Sequence, residues 1–315
     1  MKYLLIDFGA SFIKTALYNK DLDTIENSID LVSPFKQSNC ISKDNIYSIL
    51  TDILNSYKSI DGIVICSILG GYYKDDIYYS WKVDNFTKGS SCLISGLFET
   101  ENTFHVHAHH KNTVNSADYE FGLRILGFIN DIPVYSSLSD TDCVTESIQL
   151  SDNDILINIG TGSQVITKNT RHSYIPAGRS FLVFEELFNS LGLSIFDLFQ
   201  QINTNDVLSS TLEINLNNFN QAHKYTNGGY IKLINEGSFN IKNVLGSILK
   251  EFVNQYSIYI NKHECKNIFL AGGIPYKLSI LIDLFKIYYP TKNIILSDKN
   301  LNTHQGMINY INKFL

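Results

Sequence analysis

Apolar and polar positions alternate along this chain in three distinct rhythms. Tyr3-Leu4-Leu5-Ile6 is a short apolar run ending at Asp7-Phe8-Gly9, and Phe12 to Tyr18 alternates again, which predicts two strands joined by a tight turn. From Lys43 to Tyr57 the residues Ile46, Ile49, Leu50, Ile53, Leu54 and Tyr57 recur at a spacing of three and four, the helical period. Gly62-Ile63-Val64-Ile65-Cys66 is continuously apolar, as expected of a strand covered on both faces.

The same order then recurs. Asp154 to Ile159 reads as a strand ending at Gly160-Thr161-Gly162-Ser163, and Gln164 to Thr167 returns from it. Ile241, Val244, Leu245, Ile248, Leu249, Phe252, Val253, Tyr256 and Ile260 form a long helical stripe. A buried strand Asn267 to Ala271, a glycine pair, a helix Lys277 to Tyr288, a strand Ile294 to Leu296 and a closing helix follow. Each half thus repeats a glycine-tipped hairpin, a helix and a buried strand. Two α/β lobes follow, with a boundary near residues 140–152, taken as 1–145 and 146–315. No Gly/Ser-rich or proline-rich linker marks that boundary, and the chain holds only 5 prolines.

Composition narrows the classes. The 315 residues suffice for one large domain or two medium ones, and 44% hydrophobic with 18% charged residues is a globular balance. A net charge of −6 without a dense Lys/Arg cluster offers no footprint for nucleic acid or an anionic membrane. No run has the length of a membrane span, and Asp7 interrupts the first apolar stretch too early for a signal peptide, so a cytoplasmic protein is expected. Cys40, Cys66, Cys92, Cys143 and Cys265 are scattered without CxxC spacing, which suits buried apolar positions better than a disulfide or zinc framework.

Three segments carry candidate chemistry. In Asp7-Phe8-Gly9-Ala10-Ser11-Phe12-Ile13-Lys14, Gly9 admits close backbone approach, Ser11 offers a hydroxyl, Lys14 a cation, and Asp7 a carboxylate suited to Mg²⁺ or its waters. Gly160, Thr161, Gly162 and Ser163 supply small residues and amides for an anion nest. Gly272 and Gly273 end a buried strand before a helix, where a flat ring could lie against bare backbone. Each alone is equally an ordinary turn; their order in two repeated halves is the more specific signal.

On those residues the chain resembles the superfamily of sugar kinases, heat-shock ATPases and actin, and within it the FGGY-type carbohydrate kinases, including their sedoheptulokinase-like branch. Asp7, Gly9 and Lys14 match that family's first phosphate motif, Gly160 to Ser163 its second, and Gly272-Gly273 its adenine turn. The family's catalytic Asp opens a helix ahead of the second phosphate hairpin, which implies Asp140, in Ser139-Asp140-Thr141-Asp142, as general base. A carboxylate at a helix N-terminus stays ionised and can take a hydroxyl proton, although the same residue also serves as a cap. The sequence departs from the family at Ala10 and Phe12, which stand for hydroxyl residues, and at Ser139 and Asp142, which replace Gly and Gln. Asp140 and Asp142 both remain candidates for the base. The chain is also short for this family, leaving little length for an elaborate acceptor site. The zinc motif and Glu-x-Gly-His block of ROK-type sugar kinases are missing.

The resemblance implies two actin-like, ribonuclease H-like α/β lobes flanking a nucleotide cleft. ATP with Mg²⁺ would be held mainly by the second lobe and both hairpins, with Asp7, through water, and Asp140 near the metal. A small hydroxylated acceptor, most simply a sugar, would bind the first lobe, where Tyr72 and Trp81 offer aromatic faces, and Arg179, on a loop of the second lobe, could pair with an acidic group on it. Packing is the commoner use of such aromatics. His105, His107, His109 and His110 form a cluster with no carboxylate or Cys at ligand spacing, and its role stays open. A homodimer is compatible with all of this. The rival reading is an ATP-binding regulator or scaffold of the same fold without sugar kinase activity.

Overall fold

The computed structural model describes residues 1–9, 12–67, 71–80, 93–98, 113–115, 125–160, 163–215, 230–233, 239–298 and 302–315. The chain forms two compact units, one of Met1–Lys111, Asp118–Gln149 and Asp298–Leu315, the other of Asn112–Ala117 and Leu150–Ser297.

The first unit opens with β1 (Lys2–Phe8), β2 (Phe12–Asn19) and β3 (Thr24–Val32), an antiparallel run in which Asp7 faces Lys14 across the first hairpin. β3 is an exposed edge, where a register shift between Thr15 and Leu17 accompanies Asn27 at φ 47°. After β4 (Cys40–Ser42) comes α1 (Lys43–Asn55), whose first turn is capped by the Ser42 side chain accepting from Asn45 N. β5 (Gly62–Ser67) is buried along its whole length, parallel to β1 on one side and to β10 on the other. β6 (Gly71–Lys74) and β7 (Ile77–Ser80) join β4 in a small sheet, α2 (Leu93–Leu97) follows, and β8 (Thr113–Asn115) belongs to the second unit. β9 (Ile125–Ile129), β10 (Ile132–Ser139) and α3 (Asp140–Ile148) complete this stretch.

In the second unit β11 (Asp154–Ile159), β12 (Ser163–Ile166) and β13 (Thr170–Ile175) are again antiparallel. The helices α4 (Pro176–Ser190), α5 (Ile195–Phe199) and α6 (Thr204–Leu208) and the pair β14 (Leu212–Asn215) and β15 (Tyr230–Leu233) precede the long α7 (Ile241–Lys262). β16 (Asn267–Ala271) lies parallel to β11, α8 (Gly273–Lys277) and α9 (Ile280–Tyr288) follow, and β17 (Asn293–Leu296) is parallel to β16. The chain then returns to the first unit as α10 (Thr303–Phe314), capped by the Asn302 side chain.

The strand order β3-β2-β1-β5-β10 of one sheet is repeated as β13-β12-β11-β16-β17 in the other, so the repeat expected from the sequence is a repeat of topology. The two-lobe α/β architecture stands. Strand alternation splits the first unit's core into two layers. Leu4, Ile6, Phe8, Ile63 and Ile65 pack toward Ile46, Leu50 and Ile53 of α1, while Tyr3, Leu5, Val64 and Cys66 pack with Cys143, Met307, Ile308 and Ile311 of α3 and α10. The second core is a single cluster built around Ile155, Ile157, Phe181, Phe252, Tyr256 and Phe285.

Three details differ from the sequence reading. The division at 145/146 falls inside α3, and α10 lies in the first unit because Met307, Ile308 and Ile311 close that unit's second layer. Arg179 is on the first turn of helix α4 and not on a loop: Pro176-Ala177-Gly178 reads as a turn, but Pro at the first helical position fits a helix start. The helix expected over 277–288 starts only at Ile280, and a separate short helix, α8, ends at Lys277, since Leu278 between them takes φ −123° and ψ 80°.

Candidate functional site

The parallel strands β1, β5 and β10 end level with one another, for Phe8 and Ser139 both stand opposite Ser67. Chemistry-bearing residues cluster at these carboxyl ends, the usual ligand edge of such sheets. Gly9 N donates to the carbonyls of Asp7 (3.1 Å) and Phe12 (3.0 Å), closing the turn, and a Cβ on Gly9 would lie 2.8 Å from Phe12 O. The turn therefore requires glycine. The Asp7 carboxylate is buried and held from three directions. Thr303 Oγ1 donates to Oδ2 at 2.9 Å, the Cys66 thiol donates to Oδ1 at 3.5 Å, and Lys14 Nζ stands 3.8 Å from Oδ2. His304, next to Thr303, places Nε2 3.3 Å from the Lys14 carbonyl; a carbonyl only accepts, which assigns the proton to Nε2.

Asp140 begins α3 and is exposed, whereas Asp142, two residues on, is buried. Asp140 Oδ1 accepts from Thr141 N at 2.7 Å and from Thr141 Oγ1 at 3.1 Å. The buried thiols of Cys66 on β5 and Cys143 on α3 belong to one packed layer. Burial pushes the Cys66 thiol well up, and Cys143, Asp7 and Asp140 add to the shift. Both thiols are accordingly neutral and unreactive. Ser67 Oγ, at the end of β5, is fully buried and has no hydrogen-bond partner among the described residues. The imidazole of His304 is held below its usual range by burial, against the opposing pull of Asp7.

In the second unit Gly160 follows β11, and Ser163, which opens β12, is buried. Gly272 has φ 93°, and a Cβ there would lie 2.4 Å from Ile159 O and 2.8 Å from Asn158 Oδ1. The two glycines differ in kind: Gly272 is pinned against the end of β11, while a Cβ on Gly273 would meet nothing within 4 Å among the described residues. Backbone at Gly273 is open to a ligand.

Of the residues singled out in the sequence, Asp7, Gly9, Lys14 and Asp140 come to one edge of the first sheet, and Gly160, Ser163, Gly272 and Gly273 to one edge of the second. Tyr72 is half-buried on β6 with its ring stacked on Tyr79 at 5.1 Å and 16°, so one face is taken by packing. Ser11, Thr161, Gly162, Trp81, the side chain of Arg179 and the cluster His105–His110 lie outside the described residues. Sequence reasoning missed Thr303, His304 and Ser67. An N-cap signal at Asn302 marks a helix start there, but nothing linear joins residue 303 to residue 7.

The donors present suit Mg²⁺, which takes one or two carboxylates together with waters and substrate phosphates: Asp7 and Asp140 are hard oxygen ligands, and Asp140 is open to solvent. Among the described residues no group of three His, Cys, Asp or Glu forms a metal cage, and no helix is long and apolar enough to cross a membrane.

No protein-family model matches the chain, and no curated protein matches it. Solved structures do. A gluconate kinase from Lactobacillus acidophilus aligns with TM-score 0.61 at 11% identity, over 98% of this chain and 88% of that one. A xylulose kinase from Rhodospirillum rubrum aligns with TM-score 0.57 at 10% identity, over 97% and 88%. A ROK family protein from Streptococcus pneumoniae in complex with sucrose aligns with TM-score 0.50 at 13% identity, over 99% of both chains. At such identities the likeness is one of fold.

Proposed function

We propose that the protein is an ATP-dependent kinase that phosphorylates a hydroxyl of a small carbohydrate or related polyol, with Asp140 as general base. The observation that carries this reading is the gathering of the Asp7–Lys14 pair and the exposed Asp140 at the level ends of β1 and β10, in a fold shared with gluconate and xylulose kinases. The FGGY branch is the finer assignment, supported by the motif matches at Asp7, Gly9 and Lys14.

The acceptor hydroxyl gives its proton to the Asp140 carboxylate as its oxygen forms a bond to the γ-phosphorus, and the bond from that phosphorus to the β-phosphate oxygen breaks, releasing ADP. The N-terminus of α3 keeps Asp140 anionic. Mg²⁺, held by Asp7 through water and by Asp140, would neutralise charge on the phosphates. Lys14 supplies a cation to the same phosphates. Gly160 to Ser163 offer amides to the nucleotide, and Gly273 leaves bare backbone for a flat base.

The test is acceptor-dependent ADP release, screened over sugars, sugar phosphates and polyols, with Asp140→Asn and Asp142→Asn beside the natural protein. Asp140→Asn lowers release at least about a hundredfold while Mg·ATP still stabilises the protein, since Asp7 and Lys14 remain. If Asp142→Asn has that effect and Asp140→Asn does not, the base is Asp142. Mg·ATP stabilisation without acceptor-stimulated release in any screen would instead favour an ATP-binding regulator.

A further inference from the structure

We infer that Thr303, at the start of α10, is a positioning residue for the Asp7 carboxylate, and that the first turn of α10 holds the β1–β2 hairpin in the form that receives Mg·ATP. The inference rests on the kinase reading of Asp7. Its basis is geometric. Thr303 Oγ1 donates to Asp7 Oδ2 at 2.9 Å, and the next residue, His304, bonds the carbonyl of Lys14 at 3.3 Å. Asp7 and Lys14 are the paired residues of the β1–β2 ladder nearest the turn but one. Two consecutive helical residues therefore grip the two strands of one hairpin, one by side chain and one by backbone.

α10 is itself fixed. A Cβ on Gly306 would lie 1.9 Å from the carbonyl oxygen of Cys143, so the helix meets α3 backbone to backbone. Asn309 Nδ2 donates to Glu146 O at 3.1 Å, Tyr18 OH donates to Asn312 Oδ1 at 3.1 Å, and Met307 and Ile311 are fully buried. Thr303 thus presents its hydroxyl from a rigid support. With the Cys66 thiol on Oδ1, it ties both oxygens of the Asp7 carboxylate and fixes the orientation of the group. Partners that orient a metal-linked carboxylate typically govern metal affinity or activity tenfold to a hundredfold.

The experiment is a Mg²⁺ titration of thermal stabilisation at fixed ATP, on full-length natural protein, Thr303→Val, Thr303→Ser, Asp7→Asn and the Asp7→Asn/Thr303→Val double variant. Thr303→Val should raise the half-saturating Mg²⁺ about tenfold or more, Thr303→Ser should restore it, and the double variant should add nothing to Asp7→Asn. If ATP with Mg²⁺ fails to stabilise the natural protein, the kinase reading of Asp7 and this inference fall together. If the natural protein responds and Thr303→Val titrates identically, or the two substitutions add, the positioning role alone is wrong. A Thr303→Ser variant as impaired as the valine one assigns the effect to the methyl group and also overturns it. Should Thr303→Val lack a cooperative transition, Thr303→Ala is read against Thr303→Ser with the same outcomes.

Discussion

The histidines of the second unit carry a pH dependence of their own. His172 packs against the Tyr259 ring at 4.8 Å, with the His263 ring 6.0 Å away. Burial lowers the pKa of both below the ordinary 6.5; the positive charge of Lys262 contributes to each, and that of His263 also acts on His172. A base whose folded pKa is depressed binds its proton more readily when unfolded. The stability it contributes is complete above 6.5 and is lost as pH falls through the lower folded-state values. The melting temperature should therefore drop as pH falls below 6.5, and drop less in His172→Phe, which keeps a ring against Tyr259. Parallel pH curves for the two proteins would show that His172 is not the group that titrates. At the same scale, the sequence could not choose between Asp140 and Asp142, because both fall in one helical turn and only burial tells them apart.

Among the elements, the turn between β16 and α8 separates two residues that look alike in the sequence. Gly272→Ala forces a Cβ to within 2.4 Å of a backbone carbonyl at φ 93°, so it should destabilise the protein by about 1–3 kcal/mol, read from a chemical denaturation midpoint. Gly273→Val should leave that midpoint nearly unchanged and weaken ATP binding, since its side chain enters open space. Unaltered ATP affinity in Gly273→Val would remove the adenine from this turn. The buried strands β1, β5, β11 and β16 and the helices α1 and α7 were legible because two-sided burial and the helical period both leave strong linear patterns. The split of α8 from α9 and the helical start at Pro176 were not, since each depends on a local backbone choice that the apolar spacing does not encode. The Asp7 and Gly9 end of the candidate site was readable from short-range chemistry. Thr303 was not, because its bond to Asp7 spans 296 residues.

At the scale of the whole molecule, duplication of the strand order is matched by an exchange at the chain's last helix. α3 follows β10 and α10 follows β17, the corresponding strands of the two sheets, yet both helices belong to the first unit. Gly306 is where they touch. Gly306→Ala should cost about 1–3 kcal/mol, because its Cβ would overlap backbone that cannot rotate away, and should weaken Mg·ATP stabilisation by moving Thr303 from Asp7. A Gly306→Ala protein with an unaltered denaturation midpoint would show that α3 and α10 can part without loss. The exchange also reaches beyond the finished protein, to its making. Domains ordinarily fold in the order in which the ribosome releases them. Here the layer of Tyr3, Leu5, Val64 and Cys66, which packs in part on Cys143 of α3, is completed only when Met307, Ile308 and Ile311 emerge, after the entire second unit. The unit translated first is the one completed last, and through that interval a nascent chain carries an apolar sheet face that is only partly covered.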